Sequence, residues 1–112
     1  MKFDKGKPKI HLVPPAAIRA IAEVFTFGAE KYGEHNWRQD RDKFPYSRHI
    51  SSIQRHLLDF QDGIDNDDES GLSHLAHAMT QLMILYTITQ EAPQMDDRFK
   101  FDGNSKSSKK KA

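Results

Sequence analysis

The chain has 112 residues, a formal net charge of +1 and no cysteine. That length gives room for one small domain, and the missing thiols exclude both a disulfide scaffold and a thiolate metal site. No run approaches 18 apolar residues and no signal-peptide core opens the sequence, so a soluble cytoplasmic protein is expected. The near-zero net charge hides an asymmetry. Residues 98–112 hold six basic residues and one acidic one, which leaves the rest of the chain mildly acidic.

In chain order, residues 1–14 carry Lys2, Lys5, Lys7 and Lys9 around Gly6 and Pro8, and read as an extended arm. Pro14-Pro15 then opens a helix, where proline's fixed φ and missing donor do no harm. Ile18, Ile21, Phe25, Gly28, Ala29 and Tyr32 recur at helical spacing as its main face, and Gly33 is placed to end it. Val24 and Phe27 lie off that face, which predicts a helix covered on more than one side. Residues 33–45 are turn-forming, with Trp37 in their midst. Two roles are open to that indole, a plug for the local core or a face on which a base stacks.

A second helix is predicted from about Pro45 to Asp62, ended by Gly63. Its apolar stripe is Tyr46, Ile50, Ile53, Leu57 and Phe60. Beside it runs a polar stripe of His49, Ser52, His56 and Asp59, four side chains on one flank that can line a cleft together. The third helix follows, with Ser70 or Ser73 as its N-cap. Leu72, Leu75, Met79, Leu82, Tyr86 and Thr89 form its main face, and Ile84, Leu85 and Ile88 make its second half apolar almost all round. Such a helix is central in its domain or part of a subunit interface. Periodicity stops at Pro93. The expected organisation is an arm (1–14), an all-α compact helical bundle (15–92) completed by oligomerisation, and a disordered basic tail (93–112).

The segment 55–77 concentrates the chemistry, with three histidines and six carboxylates in 23 positions. Carboxylates crowded in one turn repel each other unless a cation sits among them, which makes a divalent-metal site one reading. The other is a solvated, well-capped turn whose acids suit the dipole of the next helix. Several sites are excluded. An EF-hand beginning at Asp65 would need its glycine one place before Gly71 and a glutamate where Ala76 stands. There is no H-E-x-x-H motif, no phosphate-binding glycine loop, no G-x-S-x-G elbow and no adjacent His-Asp pair. What remains is a carboxylate-rich turn with Lys31, Arg48 and Arg55 as cationic neighbours. Hard oxygen ligands suit Mg²⁺ or Mn²⁺ bridging a polyphosphate, the minimal equipment for nucleotide pyrophosphate hydrolysis.

The order of several segments carries a resemblance. Lys7-Pro8-Lys9 before Leu12-Val13-Pro14, Phe27-Gly28-Ala29-Glu30-Lys31-Tyr32-Gly33, Asn36-Trp37, Arg55-His56-Leu57, Asp67-Asp68-Glu69-Ser70-Gly71 and His74-Leu75-Ala76-His77 together look like the phage-type dATP/dGTP diphosphohydrolases. This is the MazZ-like branch of the all-α nucleoside triphosphate pyrophosphatases related to MazG. The resemblance implies a MazG-like helical fold, a homo-oligomer, and Mg²⁺- or Mn²⁺-dependent conversion of a purine dNTP to dNMP and pyrophosphate. By position it implies Asp65, Asp67, Glu69 and His74 at the metal, Lys31, Arg55 and His56 in catalysis, and Lys7, Asn36 and Trp37 at the nucleotide. An acidic residue is frequent in the family where Ile64 stands, as is Asp where His11 stands, and the paired glutamates of MazG have no counterpart here. The competing class is a non-catalytic helical oligomer that binds nucleotide or nucleic acid through its basic tail.

Overall fold

A computed structural model describes residues 5–101 of the chain. Among them the secondary structure is helical: α1 (Pro15–Tyr32), a single turn α2 (Asn36–Gln39), α3 (Tyr46–Gln61) and α4 (His74–Glu91), with short 3-10 turns at Ile10–Leu12 and Pro93–Met95. The all-α architecture read from the sequence is the one observed. Lys106–Lys111, the most basic part of the expected tail, lies outside the described residues.

The helix ends follow local chemistry. Pro15 occupies the first turn of α1, and Gly33 closes it at φ 97°, donating its N–H to the Ala29 carbonyl at 2.7 Å. At the end of α3, the N–H of Gly63 reaches the Phe60 carbonyl (2.9 Å) and that of Ile64 reaches the Asp59 carbonyl (3.0 Å). This paired arrangement is a Schellman cap, and Gly63 supplies the left-handed residue it needs at φ 91°. Ser73 is the N-cap of α4, its hydroxyl accepting from the N–H groups of Leu75 and Ala76.

Helices α3 and α4 form an antiparallel pair, and α1 packs across α4. Helix α4 is therefore the central element, in keeping with its apolar second half. At one end of the pair Tyr46, Ile84, Ile88 and Ala92 form the buried core, and Phe25, Trp37, Ile50, Leu85 and Met95 pack against it. Trp37 takes the packing role: its ring lies tilted against Phe25, with centroids 6.2 Å apart. Arg38 holds α2 to the end of α4 through Glu91, which Arg41 also approaches.

Two features differ from the sequence reading. The chain after Pro93 remains attached to the bundle: Met95 joins the core, and Asp97 accepts hydrogen bonds from the backbone N–H (2.9 Å) and hydroxyl (2.5 Å) of Ser47. A carboxylate from 50 positions away thus caps the start of α3, a favourable place for negative charge. Such a tether leaves no periodic trace in a sequence. The second difference concerns which helix faces turn inward. The polar stripe of α3 packs against α4, whereas Leu57, Leu58 and Phe60 are exposed, as are Leu75, Leu82, Met83 and Tyr86 along the apolar face of α4.

Candidate metal centre

The α3–loop–α4 hairpin is folded by its own polar residues. Oδ2 of Asp67 accepts the N–H groups of Glu69 (3.1 Å) and Ser70 (2.9 Å), which closes the loop into a turn on the carboxylate. Ser70 Oγ then accepts the N–H of Leu72 and sits 2.7 Å from Nε2 of His77. The N–H of Asp67 bonds the Leu72 carbonyl, and that of His74 bonds the Asp65 carbonyl, both at 2.8 Å. The loop backbone is thereby fixed beside the first turn of α4.

Against this loop three imidazoles converge. Nδ1 of His56 lies 2.8 Å from Nδ1 of His74. The rings of His56 and His77 stack almost parallel, 7° apart in plane with centroids at 4.6 Å. His74 is only 4% exposed, and its Nε2 is 3.7 Å from Oδ2 of Asp59. One ligand atom each from His56, Asp67 and His74 lies within 4.8 Å of the others, a spacing that lets the three hold a single ion.

The electrostatics keep the centre poised. Burial pushes His56 below its ordinary value, and the charge that His77 or His74 would carry pushes it further down. Burial likewise lowers His77, outweighing the upward pull of Asp67 and Glu69. Burial alone would raise Asp67, but the Ser70 N–H, the adjacent His77 and the remaining turn hydrogen bonds together hold it below the usual carboxylate range. These shifts favour the neutral imidazoles of His56 and His77 and the ionised carboxylate of Asp67, the protonation states in which such groups can bind a metal ion.

The residues expected at the site fall into separate places. His56, Asp67 and His74 come together. Glu69 is exposed and pairs with Lys31, which links the end of α1 to the loop and keeps the ammonium above its usual value. Asp65 is exposed and holds His74 through its carbonyl; its carboxylate is not in the converging set. Arg55 is exposed on α3, and Lys7 lies in the exposed arm. Asn36 starts α2, and the half-buried Trp37 is committed to the core near Ile88. Ile88 lies 11 residues beyond His77, roughly 16 Å along α4 at 1.5 Å per residue. His77 and Asp59 join the cluster although neither is among the candidate ligands expected from the sequence. Both were visible as polar residues in register with His56 and His74 on facing helices, a pairing that needs the antiparallel packing to be known.

The chain is an all-α protein whose helical hairpin brings His56, His74 and Asp67 close enough to hold an ion, and comparison with known proteins gives its family. The profile of the family described as "dATP/dGTP diphosphohydrolase, N-terminal" matches residues 1–98, and the chain belongs to that family. It is 36% identical over 98 residues to a protein of Salmonella phage PMBT28 named dATP/dGTP diphosphohydrolase. The match covers 88% of this chain and 32% of that protein, so the chain spans about a third of the length of its curated relative. No solved structure matches the chain.

Proposed function

We propose that this chain is a metal-dependent pyrophosphohydrolase of purine deoxynucleoside triphosphates, acting on dATP or dGTP to give the monophosphate and pyrophosphate. The observation that carries the reading is the convergence of His56, His74 and Asp67 in the same hairpin that bears the family's sequence segments. These residues fit a divalent ion: burial favours the neutral imidazole of His56, Asp67 is held ionised, and the loop keeps its carboxylate in place beside the buried His74. Of the two ions implied by the resemblance, Mn²⁺ suits two imidazoles better than Mg²⁺ does.

The ion would contribute neutralisation and Lewis-acid polarisation of phosphoryl oxygens. The remaining work belongs to side chains. Lys31, beside Glu69, and Arg55, on the exposed side of α3, supply positive charge for the triphosphate. The proton of the attacking water has the neutral imidazole of His77 beside it, held by Ser70. Water adds at the α-phosphorus, the bond to the bridging oxygen breaks, and pyrophosphate leaves. Asp65 and Glu69 stand on the hairpin loop beside the centre. Lys7 and Asn36, which the resemblance assigns to the nucleotide, lie in the arm and at the start of α2, and Trp37 fixes the turn after α1 from the core side. In this reading the reaction belongs to the cytoplasm of a bacterial or phage-infected cell, where deoxynucleoside triphosphates are used. No helix among the described residues is long and apolar enough to cross a membrane.

The exposed apolar faces support a homo-oligomer. Leu75, Leu82 and Tyr86 recur along one side of α4, and Leu57 and Phe60 along α3, with no other described element over them. Light scattering should give a mass above the 12.9 kDa of one chain, and a monomer at micromolar concentration refutes this part. The catalytic reading is tested by incubating the protein with each dNTP plus Mn²⁺ or Mg²⁺ and separating the products. Monophosphate and pyrophosphate from dATP or dGTP support it. Intact triphosphate with both ions refutes it, and nucleoside with tripolyphosphate assigns a different reaction.

A further inference from the structure

We infer that the His56–His74–Asp67 centre selects a divalent transition-metal ion of the Mn²⁺, Co²⁺ and Zn²⁺ class and discriminates against Mg²⁺. This deepens the reading above and rests on it for the ion's purpose, though the binding itself is separable. Two of the three converging donors are imidazole nitrogens. Imidazole suits first-row transition ions, whereas Mg²⁺ asks for an octahedron of oxygens and gives up its waters reluctantly. The oxygen-rich part of the hairpin does not repair that mismatch. Glu69 is occupied by Lys31, and the carboxylate of Asp65 stands outside the converging group.

The donor atoms are also held ready. His74 is almost wholly buried, so bulk water does not compete for its Nδ1, which points at Nδ1 of His56 across 2.8 Å. At that distance one imidazole donates and the other accepts. Oδ2 of Asp59, 3.7 Å from Nε2 of His74, favours the tautomer with its proton on Nε2 and a bare lone pair on Nδ1. His56 is then the donor, and for both nitrogens to face an ion its proton moves to its own Nε2, a tautomeric shift with no net proton released. The carboxylate–histidine arrangement of Asp59 and His74 is the outer support that metal-binding imidazoles commonly have. Asp67 spends Oδ2 on backbone N–H groups, so its turn keeps the third donor in place. Three protein ligands leave at least one position free for water or a phosphate oxygen.

The test uses the full chain without nucleotide. CoCl₂ is titrated in and followed by its visible d–d absorption, then competed with ZnCl₂ or MgCl₂. One Co²⁺ per chain is expected, displaced by Zn²⁺ but retained against a roughly 1,000-fold excess of Mg²⁺. His56→Gln should weaken Co²⁺ binding about 100-fold, while His49→Gln, on the same helix outside the centre, should leave it unchanged. In the wild-type protein Co²⁺ should also perturb the imidazole resonances of His56 and His74, a readout that does not depend on any variant folding. Co²⁺ binding that survives His56→Gln, release by Mg²⁺ at comparable concentration, or unperturbed imidazole resonances would each overturn the inference. The imidazoles would then be a hydrogen-bonded pair only. Hydrolysis supported by Mg²⁺ in a chain that binds no Co²⁺ removes this inference and keeps the proposed reaction. Co²⁺ binding without hydrolysis does the reverse.

Discussion

The two ends of the α3–α4 pair are built from the same helices for opposite purposes. At one end Tyr46, Ile84, Ile88 and Ala92 exclude water, and Trp37, Phe25 and Met95 close over them. At the other, about 16 Å along the axis, His56, His74 and His77 cluster between the helices, with the half-exposed Asp59 at their edge and Asp67 reaching in from the loop. Burial at the first end stabilises the fold through apolar area. Burial at the second desolvates imidazoles and costs stability, returned in part by hydrogen bonds and stacking. The difference teaches that a thin bundle can hold a polar seam when the opposite end is dry and each helix terminus is well capped.

Substitutions at the two ends should therefore separate activity from stability. The largest expected effect is that of Asp67→Asn. The amide oxygen can still accept from Glu69 and Ser70, so the turn survives, but the His56–His74–Asp67 cluster loses its negative charge. Turnover of dATP or dGTP should fall about 100-fold or more, with the urea midpoint almost unchanged. A large shift in midpoint would mean that Asp67 is chiefly structural. Ile88→Ala is the mirror experiment. Ile88 is 1% exposed, and removing its side chain leaves a cavity between α4 and the core, at a cost of about 3 kcal/mol. Where the variant remains folded, activity per folded molecule should stay near wild type.

How much of this was legible in the sequence follows from which forces are periodic. The helices were readable because Pro15, Gly33, Gly63 and Ser73 mark their ends and the apolar spacing marks their lengths. The direction each face would take was not. On α3, Leu57 and Phe60 extend the apolar stripe of Tyr46, Ile50 and Ile53, yet they are exposed while the adjacent polar stripe is packed inward. Amphipathicity says that one face seeks cover without naming the partner, which in an oligomer can be a second copy. For the centre, His56, Asp67 and His74 were all candidates from the sequence. Glu69 and Asp65 were equally acidic candidates, and only the fold shows Lys31 on one and a backbone role for the other. Asp97 was invisible as a cap for α3 because a single long-range hydrogen-bonding residue leaves no pattern.

The smallest effect is expected at His49, one turn along α3 from Tyr46 on the way to His56. Its Nε2 and the Oε1 of Gln81 on α4 are both buried without a hydrogen-bond partner. Burial lowers the pKa of His49; the Gln81 amide opposes the shift and Arg48 adds to it. A histidine with a folded-state pKa below the unfolded value of about 6.5 binds its proton more readily in the unfolded chain. Its contribution to stability is thus intact above that pH and is lost as the pH falls from there toward the folded value. His49→Gln removes the titrating group and leaves an amide facing Gln81, so Tm at pH 7.5 should be close to wild type. Between pH 7.5 and 5.5 the metal-free variant should lose less Tm than the metal-free wild type. The remaining slope belongs to His56 and His77, whose values burial also lowers. Parallel melting curves for variant and wild type over that range would show that His49 meets enough water to titrate normally, placing the dry boundary of the core nearer Tyr46 than this packing implies.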